Sequence, residues 1–196
     1  MSTTFDIKEY TYNDYLKIND NKRYEVINGS LIMVPAPNTE HQNVSKIIEM
    51  SLYSFVLKSK LGDVYDAPID VYFDEKNLVQ PDIIFISTSN MNIIKKKGIF
   101  GIPDLLIEII SPSSRNRDLY TKKDLYQNFK VKEYWIVDPV NRSIDILKLD
   151  DNGVYKVHSS SSLNDEEQED KNVYSDIVTN FSINLNDIFN RTLNNS

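Results

Sequence analysis

The chain has 196 residues, of which 40% are hydrophobic, and it carries a formal net charge of −7. This length and apolar content are sufficient for one domain with a sizeable core. Because the chain contains no cysteine, disulfide bonds and zinc–thiolate sites are excluded. With only two histidines, any bound metal must be held mainly by oxygen ligands, which favours Mg²⁺ or Mn²⁺ over zinc.

No stretch of the sequence approaches the ~20 consecutive apolar residues of a membrane-spanning helix, and residues 1–21 lack the apolar core of a signal peptide. We therefore expect a cytoplasmic protein with no membrane partner. We also expect residues 1–196 to form a single domain, with a polar, acidic and mobile loop near residues 159–172.

The N-terminal region predicts a packing arm followed by a β-hairpin. Residues 1–22 are polar and aromatic, and the segment 12–18 is expected to form a short helix within them. Asn28-Gly29 lies between the apolar runs 24–27 and 31–34. This pair is a strong signal for a tight hairpin turn, because both central residues of such a turn adopt positive φ.

Glu25 lies in the first strand of this hairpin and alternates away from the faces of Tyr24 and Val26. An acidic residue on the less apolar face of a strand is most simply solvated, and the sequence favours that interpretation. The alternative is that Glu25 is an additional acid facing a functional site.

The middle of the chain predicts the longest helix and several strands. Apolar residues recur at helical spacing from 41 to 61, which indicates an amphipathic helix that faces the core. Residues 63–73 predict one or two strands broken at Pro68, and residues 78–87 predict another strand. Residues 89–101 predict a loop or a frayed helix.

The segment 103–112 predicts a strand that carries acids on one apolar face. Because successive side chains of a strand point to opposite sides, one face holds Asp104, Leu106, Glu108 and Ile110 and the other holds Leu105, Ile107 and Ile109. Burying a carboxylate among leucine and isoleucine is unfavourable unless something binds it, so this face is a candidate functional site. The alternative is an edge strand with one face in water.

The following helix places a lysine on its buried side. Leu119, Leu125, Tyr126 and Phe129 form one stripe at about 100° per residue, and Lys122 lies near the centre of this stripe. Such a lysine is expected to point at the sheet, where Glu108 and Asp82 are potential partners. The alternative is a lysine that packs its methylene groups and keeps its ammonium group in water.

The remainder of the chain predicts mainly strands. These are a strand at 133–138, a meander of strands at 143–149 and 154–158, the acidic loop, a strand at 173–183 and a closing helical turn at 185–189. The complete pattern predicts an α/β fold in which a central mixed sheet is flanked by the 41–61 helix and the helix that carries Lys122.

Several of these segments together resemble the Uma family of restriction-endonuclease-like proteins. The motifs are Pro103-Asp-Leu-Leu-Ile-Glu108-Ile-Ile-Ser-Pro-Ser-Ser, then Asp118-x-x-x-Lys122-x-x-x-Tyr126, then Val131-Lys-Glu-Tyr-Trp-Ile-Val-Asp-Pro139, and the hairpin around Asn28-Gly29 is similar as well. This family is placed in the PD-(D/E)XK nuclease superfamily, which has a restriction-endonuclease-like fold. The resemblance spans most of residues 10–190.

The resemblance implies a set of site residues. Asp82 matches the acid of the PD element and Glu108 matches the acid of the (D/E)XK element, whereas Ile110 stands where that element's lysine is expected. The family pattern resembles a lysine that has migrated to the following helix, and Lys122 matches that position. The resemblance also modestly favours Glu25 as a further catalytic acid.

The activity implied by this resemblance is metal-dependent hydrolysis of phosphodiester bonds in DNA by a homodimer. Asp82, Glu108 and the backbone carbonyl near Ile109 are the implied ligands of one or two Mg²⁺ ions, with Mn²⁺ as a substitute. Two alternatives remain: a binding or regulatory module that keeps the fold without catalysis, which Ile110 favours, and a structural protein in which Lys122 and Glu108 form an internal ion pair.

The charge distribution bears on DNA as a partner. Between residues 95 and 132 there are nine basic and four acidic residues, a local charge of +5, so the rest of the chain carries −12. A polyanion requires a local positive surface, which this region is expected to provide around the site. The low overall pI argues against strong non-specific DNA binding.

Overall fold

The computed structural model describes residues 8–190, so the first seven residues of the expected N-terminal arm lie outside the described part of the chain. The α-helices are α1 (Tyr12–Tyr15), α2 (Thr39–Ser59), α3 (Lys123–Asn128) and α4 (Leu185–Phe189). A 3-10 helix spans Thr88–Ile93, and a π-helical segment, Arg117–Lys122, continues directly into α3. The strands are β1 (Arg23–Ile27), β2 (Ser30–Val34), β3 (Gly62–Asp66), β4 (Val71–Asp74), β5 (Asn77–Val79), β6 (Ile83–Ser87), β7 (Ile94–Lys95), β8 (Gly98–Phe100), β9 (Leu105–Ile109), β10 (Glu133–Asp138), β11 (Ser143–Leu149), β12 (Tyr155–Ser162), β13 (Asn172–Tyr174) and β14 (Ser182–Asn184).

The strands form two six-stranded sheets and one short hairpin. The first sheet has the order β2-β1-β5-β4-β8-β7, the second has the order β12-β11-β10-β9-β6-β3, and β13 pairs with β14. Both large sheets are mixed, because β4 runs parallel to β8 and β9 runs parallel to β10 while their other pairings are antiparallel. The predicted α/β class and the hairpin around Asn28-Gly29 are confirmed.

The second sheet is the central layer, and its two faces contact different cores. On one face, Phe85, Ile107 and Trp135 pack against α2, α4 and the β13–β14 hairpin. On the other face, residues including Leu106 and Ile110 pack against α3 and the first sheet. The helices predicted to flank the central sheet therefore do so on opposite faces, and the face of β9 that carries Glu108 is turned toward α3.

Helix α2 has clear sequence signals at both ends. The Asn38 side chain accepts a hydrogen bond from the backbone N–H of His41 at 2.8 Å, which caps the first turn. Apolar residues four positions apart then form its buried stripe; they are Val44, Ile48, Leu52 and Val56. Lys60 ends the helix in the left-handed conformation. No helix within residues 8–190 is both long and apolar enough to cross a membrane.

Three secondary-structure predictions were wrong. Strand β12 continues past His158 to Ser162, because residues 159–162 pair with β11 despite their serine-rich sequence. Residues 173–183 form a hairpin and its connection, since the backbone N–H groups of Asp176 and Ile177 donate to Glu133 and not to a neighbouring strand. The expected loop or frayed helix at 89–101 omitted the antiparallel pair β7–β8, although a 3-10 helix does span Thr88–Ile93.

Candidate active site

One cleft brings together most of the acidic and basic residues singled out in the sequence. Its volume is about 240 Å³, and it lies where the first sheet, the start of α2, the end of β9 and the π-helical segment meet. The ionisable side chains that line it are those of Arg23, Glu25, His41, Asp82, Glu108, Arg117, Asp118 and Lys122. We refer to this candidate active site as the catalytic cleft.

Lys122 is the central cation of the catalytic cleft. Its Nζ lies 2.8 Å from Glu108 Oε1 and 2.8 Å from Glu25 Oε1, and all three side chains are buried. The Tyr126 hydroxyl donates a second hydrogen bond, of 2.6 Å, to Glu108 Oε1. The Lys122 side chain is 3% exposed, so the alternative of a lysine with its ammonium group in water is wrong.

Local structure explains this meeting. Glu108 lies on the face of β9 that is turned toward α3, as its alternation predicts, and Lys122 lies on the buried side of the opposing helix together with Leu125 and Tyr126. The backbone at Lys122 is π-helical, a rare form that is frequently found at functional sites.

Asp82 occupies the turn between β5 and β6 and is fixed through one oxygen. Its Oδ2 accepts a 2.8 Å hydrogen bond from the backbone N–H of Ile109 and lies 3.1 Å from His41 Nε2. Because Ile109 follows Glu108 in β9, the hydrogen bond from its N–H holds the Asp82 carboxylate beside the strand that carries Glu108. The carboxylate of Asp82 remains partly exposed to the cleft.

The sequence-based preference for a solvated Glu25 was wrong. Glu25 is fully buried, and its Oε1 also accepts a 3.0 Å hydrogen bond from the backbone N–H of Gln80. Strand β1 is an inner strand of the first sheet, between β2 and β5. Its face with Glu25 and Ile27 is turned inward, because Ile27 packs in the core between the first sheet and the central sheet. Glu25 therefore belongs to the catalytic cleft.

Asp104 was expected to share the acidic face with Glu108, but it lies outside the cleft. It precedes β9, and its carboxylate accepts hydrogen bonds from the Ser87 backbone N–H, Asn90 Nδ2 and Lys132 Nζ. The strand begins only at Leu105, so the alternation does not extend to position 104. These donors hold Asp104 in a separate structural site.

We expect the Asp104 cluster to contribute to stability in a pH-dependent manner. Burial works to raise the pKa of Asp104, but the hydrogen bonds from Lys132, Ser87 and Asn90 outweigh it and lower the pKa below 3.8. The contribution is therefore complete above pH 3.8 and is lost as the pH falls through the lower pKa of the folded state. Asp104→Asn should lose about 1 kcal/mol of unfolding free energy at pH 7 and much less near pH 3, as measured by urea unfolding. An equal loss at both pH values would contradict this.

Burial and neighbouring charges set the ionisation of the cleft. Burial is the largest influence on the pKa of Glu108 and raises it well above the ordinary value, although the Lys122 charge opposes this effect. Burial works to lower the pKa of Lys122, but the charges of Glu108 and Glu25 outweigh it and leave the pKa above its ordinary value. Lys122 is therefore an ammonium ion at neutral pH.

Asp82 and Glu108 have the chemistry to hold a hard cation together with the Ile109 carbonyl. Within residues 8–190, no group of three or more His, Cys, Asp or Glu side chains is arranged as a metal-binding cluster. Mg²⁺ commonly uses only one or two carboxylates and completes its shell with water and phosphate oxygens. Two buried carboxylate oxygens in the cleft, Glu25 Oε2 and Asp118 Oδ1, have no hydrogen-bond partner. This surplus of acceptors fits a cation.

Comparisons with known proteins agree with this architecture. The model of the Uma2 family, described as "Putative restriction endonuclease", matches residues 10–186. The chain belongs to the Uma2 family. A protein from Anabaena variabilis, described in its crystal structure as "a putative nuclease belonging to DUF820", has a similar fold with a TM-score of 0.73 and 17% identity, covering 92% of this chain and 97% of that chain. No curated protein matches the chain.

Membership in the Uma2 family supports a nuclease-like function. Ile110 is the position at which the family resemblance led us to expect a lysine. Ile110 is 5% exposed and packs in the core on the α3 side of the central sheet. An apolar residue at this position has no ammonium group to offer the cleft. Lys122 enters from the opposing helix and brings that charge to Glu108.

Four ionisable residues of the cleft in this Uma2 protein were not assigned to the site from the sequence. His41 was described only as part of a core-facing helix, Arg23 and Arg117 were given no individual role, and Asp118 appeared only in the motif that carries the family resemblance. Asp118 lies one turn before Lys122 and is equally buried, so the helical spacing offered a signal for it. The contact of His41 with Asp82 depends on how α2 is rotated against the sheet, and no local pattern encodes that rotation.

The expected concentration of positive charge around the site is also only partly correct. Of the nine basic residues between 95 and 132, Arg117 and Lys122 line the catalytic cleft. Lys132 is paired with Asp104, and Arg115 with Asp138. Lys95, Lys96 and Lys97 line a different cavity, beside Tyr65 and Asp70.

Proposed function

We propose that this Uma2 protein is a Mg²⁺-dependent endonuclease that hydrolyses phosphodiester bonds in DNA. The observation that carries the proposal is the buried contact of Lys122 with Glu108 and Glu25, at 2.8 Å each, in the same cleft as Asp82. A phosphodiester resists attack by anions, so its hydrolysis requires positive charge held at a fixed position. A metal ion and a buried ammonium group meet that requirement.

Asp82 and Glu108 hold the metal in this proposal, with the backbone carbonyl of Ile109 as a further ligand. The Ile109 N–H and His41 fix Asp82 through Oδ2, and no hydrogen bond to its Oδ1 is found among the described residues. Bound Mg²⁺ supplies polarisation of the phosphate and lowers the pKa of an attacking water. Mn²⁺ prefers the same oxygen ligands and should substitute for it.

Lys122 acts in this scheme as a charged donor and not as a base. Its pKa is raised above the ordinary value by the surrounding carboxylates, so it retains its proton at neutral pH. An ammonium group at this position can stabilise the negative charge that develops on the phosphorus oxygens. Glu25 assists as a second carboxylate in contact with the Lys122 ammonium group, at 2.8 Å.

The decisive test combines metal titration with plasmid cleavage. Asp82→Ala and Glu108→Ala should each abolish the heat of Mg²⁺ binding in calorimetry and lower plasmid cleavage by at least about 10²-fold. A matched control is Asp145→Ala, which removes a partly buried strand carboxylate that contacts Ser160 outside the cleft. Absence of Mg²⁺ binding by the unmodified protein would overturn the proposal.

A second candidate function is a non-catalytic module that keeps this fold. It is favoured by the contacts of Lys122, because the ammonium group is already paired with two carboxylates, those of Glu108 and Glu25. Such a module needs no metal at Asp82 and Glu108. Absence of both Mg²⁺ binding and DNA cleavage in the unmodified protein would therefore favour this module, whereas Mg²⁺ binding that depends on Asp82 and Glu108 would favour the nuclease.

The proposal extends to the assembly and its location. Cleavage of both DNA strands requires two catalytic centres, and a homodimer provides them. We expect a cytoplasmic homodimer, for which sedimentation of the purified protein gives the mass directly.

A further inference from the structure

In the described part of the chain, the buried side-chain polar atoms that lack a hydrogen-bond partner are concentrated in the catalytic cleft. Within residues 8–190, four buried side-chain atoms have no hydrogen-bond partner: Glu25 Oε2, His41 Nδ1, Arg117 Nε and Asp118 Oδ1. All four belong to residues that line this cleft. Buried polar groups are almost always hydrogen-bonded in folded proteins, so this cluster of exceptions indicates a place that bound groups complete: a cation or donor for the two carboxylate oxygens, and an acceptor for Arg117 Nε.

Arg117 is the unsatisfied cation of this group. Its Nε lies 3.7 Å from Glu25 Oε2 and 3.8 Å from Asp118 Oδ1, which is close enough for attraction but too far for a hydrogen bond. No hydrogen bond from its guanidinium group is found among the described residues. Only 16% of the Arg117 side chain is exposed to solvent, so the guanidinium group is held within the cleft.

The neighbouring cations are engaged in stronger contacts. Lys122 contacts Glu108 and Glu25 at 2.8 Å, and Arg23 Nε donates to Gln80 Oε1 at 2.9 Å. Arg115, two residues before Arg117, contacts Asp138 at 2.7 Å. Arg117 is thus positioned by two flanking acids while its donors remain available.

We infer that Arg117 binds a phosphate of the nucleic-acid backbone in the catalytic cleft, as a recognition residue separate from the metal ligands and Lys122. The guanidinium group presents five N–H donors in a planar fork, which matches two oxygens of one phosphate. The flanking carboxylates hold the fork in place, and a phosphate would supply the acceptors that it lacks. This inference rests on the proposed function, because it names how the same site holds its substrate.

The test measures binding of a short random-sequence DNA duplex by fluorescence anisotropy at low salt in EDTA, so that it is independent of metal and of cleavage. Arg117→Gln should weaken binding by about tenfold and reduce the slope of log K against log salt by about one. Arg117→Lys keeps the charge and should recover part of the affinity. Arg115→Gln is the matched control and should bind like the unmodified protein, because its guanidinium group is already paired.

Several outcomes would overturn the inference. They are unchanged binding by Arg117→Gln, an equal loss in Arg115→Gln, or failure of both Arg117 variants to fold in a thermal melt. Failure of the proposed function gives a different result. The protein would then not cleave DNA with Mg²⁺, while its binding of DNA in EDTA would still depend on Arg117.

Discussion

Lys122→Met is expected to lower the rate of DNA cleavage by about 10²- to 10³-fold, the usual effect of removing one donor that stabilises transition-state charge. Methionine keeps much of the length and apolar volume of lysine but removes the ammonium group from Glu108 and Glu25. Because the metal ligands remain, Mg²⁺ binding in calorimetry should persist. The measurement is the rate of plasmid nicking at saturating Mg²⁺, with the variant's thermal melt recorded beside it.

The adjacent lysine offers a matched control. Lys123 carries the same charge on the same helix but does not line the catalytic cleft, so Lys123→Met should cleave at the unmodified rate. Cleavage by Lys122→Met at that same rate would show that the buried ammonium group takes no part in the reaction. Loss of Mg²⁺ binding in Lys122→Met would show that the lysine acts by holding Glu108 in place.

The pairing of Glu108 with Lys122 could be predicted because both positions follow from local periodicity. A strand period of two places Glu108 on one face, and a helical period near 3.6 places Lys122 on the buried stripe of the next element. These two elements are close in sequence and pack directly on each other. The prediction therefore required no knowledge of the rest of the fold.

Glu25 and Asp104 show where the same reasoning fails. The hairpin sequence does not indicate which face of β1 becomes the interior. That face is decided in the tertiary structure, where β5 pairs with β1 and the first sheet packs on the central sheet. Asp104 follows the alternation of β9, yet the strand starts one residue later and Lys132 is available as a partner. Alternation thus predicts which side chains share a face of a strand. It does not predict where the strand ends or which face other elements bury.

His41 and Arg117 required distances between elements far apart in sequence. The contact of His41 with Asp82 joins the start of α2 to the turn before β6, and Arg117 of the π-helical segment lies near Glu25 of β1. Neither residue stands out by composition, because a histidine at a helix start and an arginine after a serine-rich turn are ordinary. Their relevance comes from one buried nitrogen in each side chain, His41 Nδ1 and Arg117 Nε, that has no hydrogen-bond partner among the described residues.

A double-mutant cycle on Glu108 and Lys122 is expected to show strong energetic coupling. Lys122→Met should lose about 3–5 kcal/mol of unfolding free energy, because it leaves buried carboxylates without their cation. Glu108→Gln should lose less, about 1–3 kcal/mol, since Lys122 still contacts Glu25 and the amide oxygen still accepts from Tyr126. The double variant should lose less than the sum of the two, by about 1–3 kcal/mol, because the neutral side chain no longer needs the lysine.

Urea unfolding of the four proteins at one pH measures this coupling, and additive losses would contradict it. Cleavage by the same proteins then separates catalysis from structure. A buried ion pair is often replaceable by neutral groups with little loss of stability, so a pair kept only for packing should be dispensable. Because Glu108→Gln also removes a proposed metal ligand, a double variant that recovers much of its stability but cuts no DNA would mean that the Lys122 and Glu108 side chains serve the reaction and not only the fold.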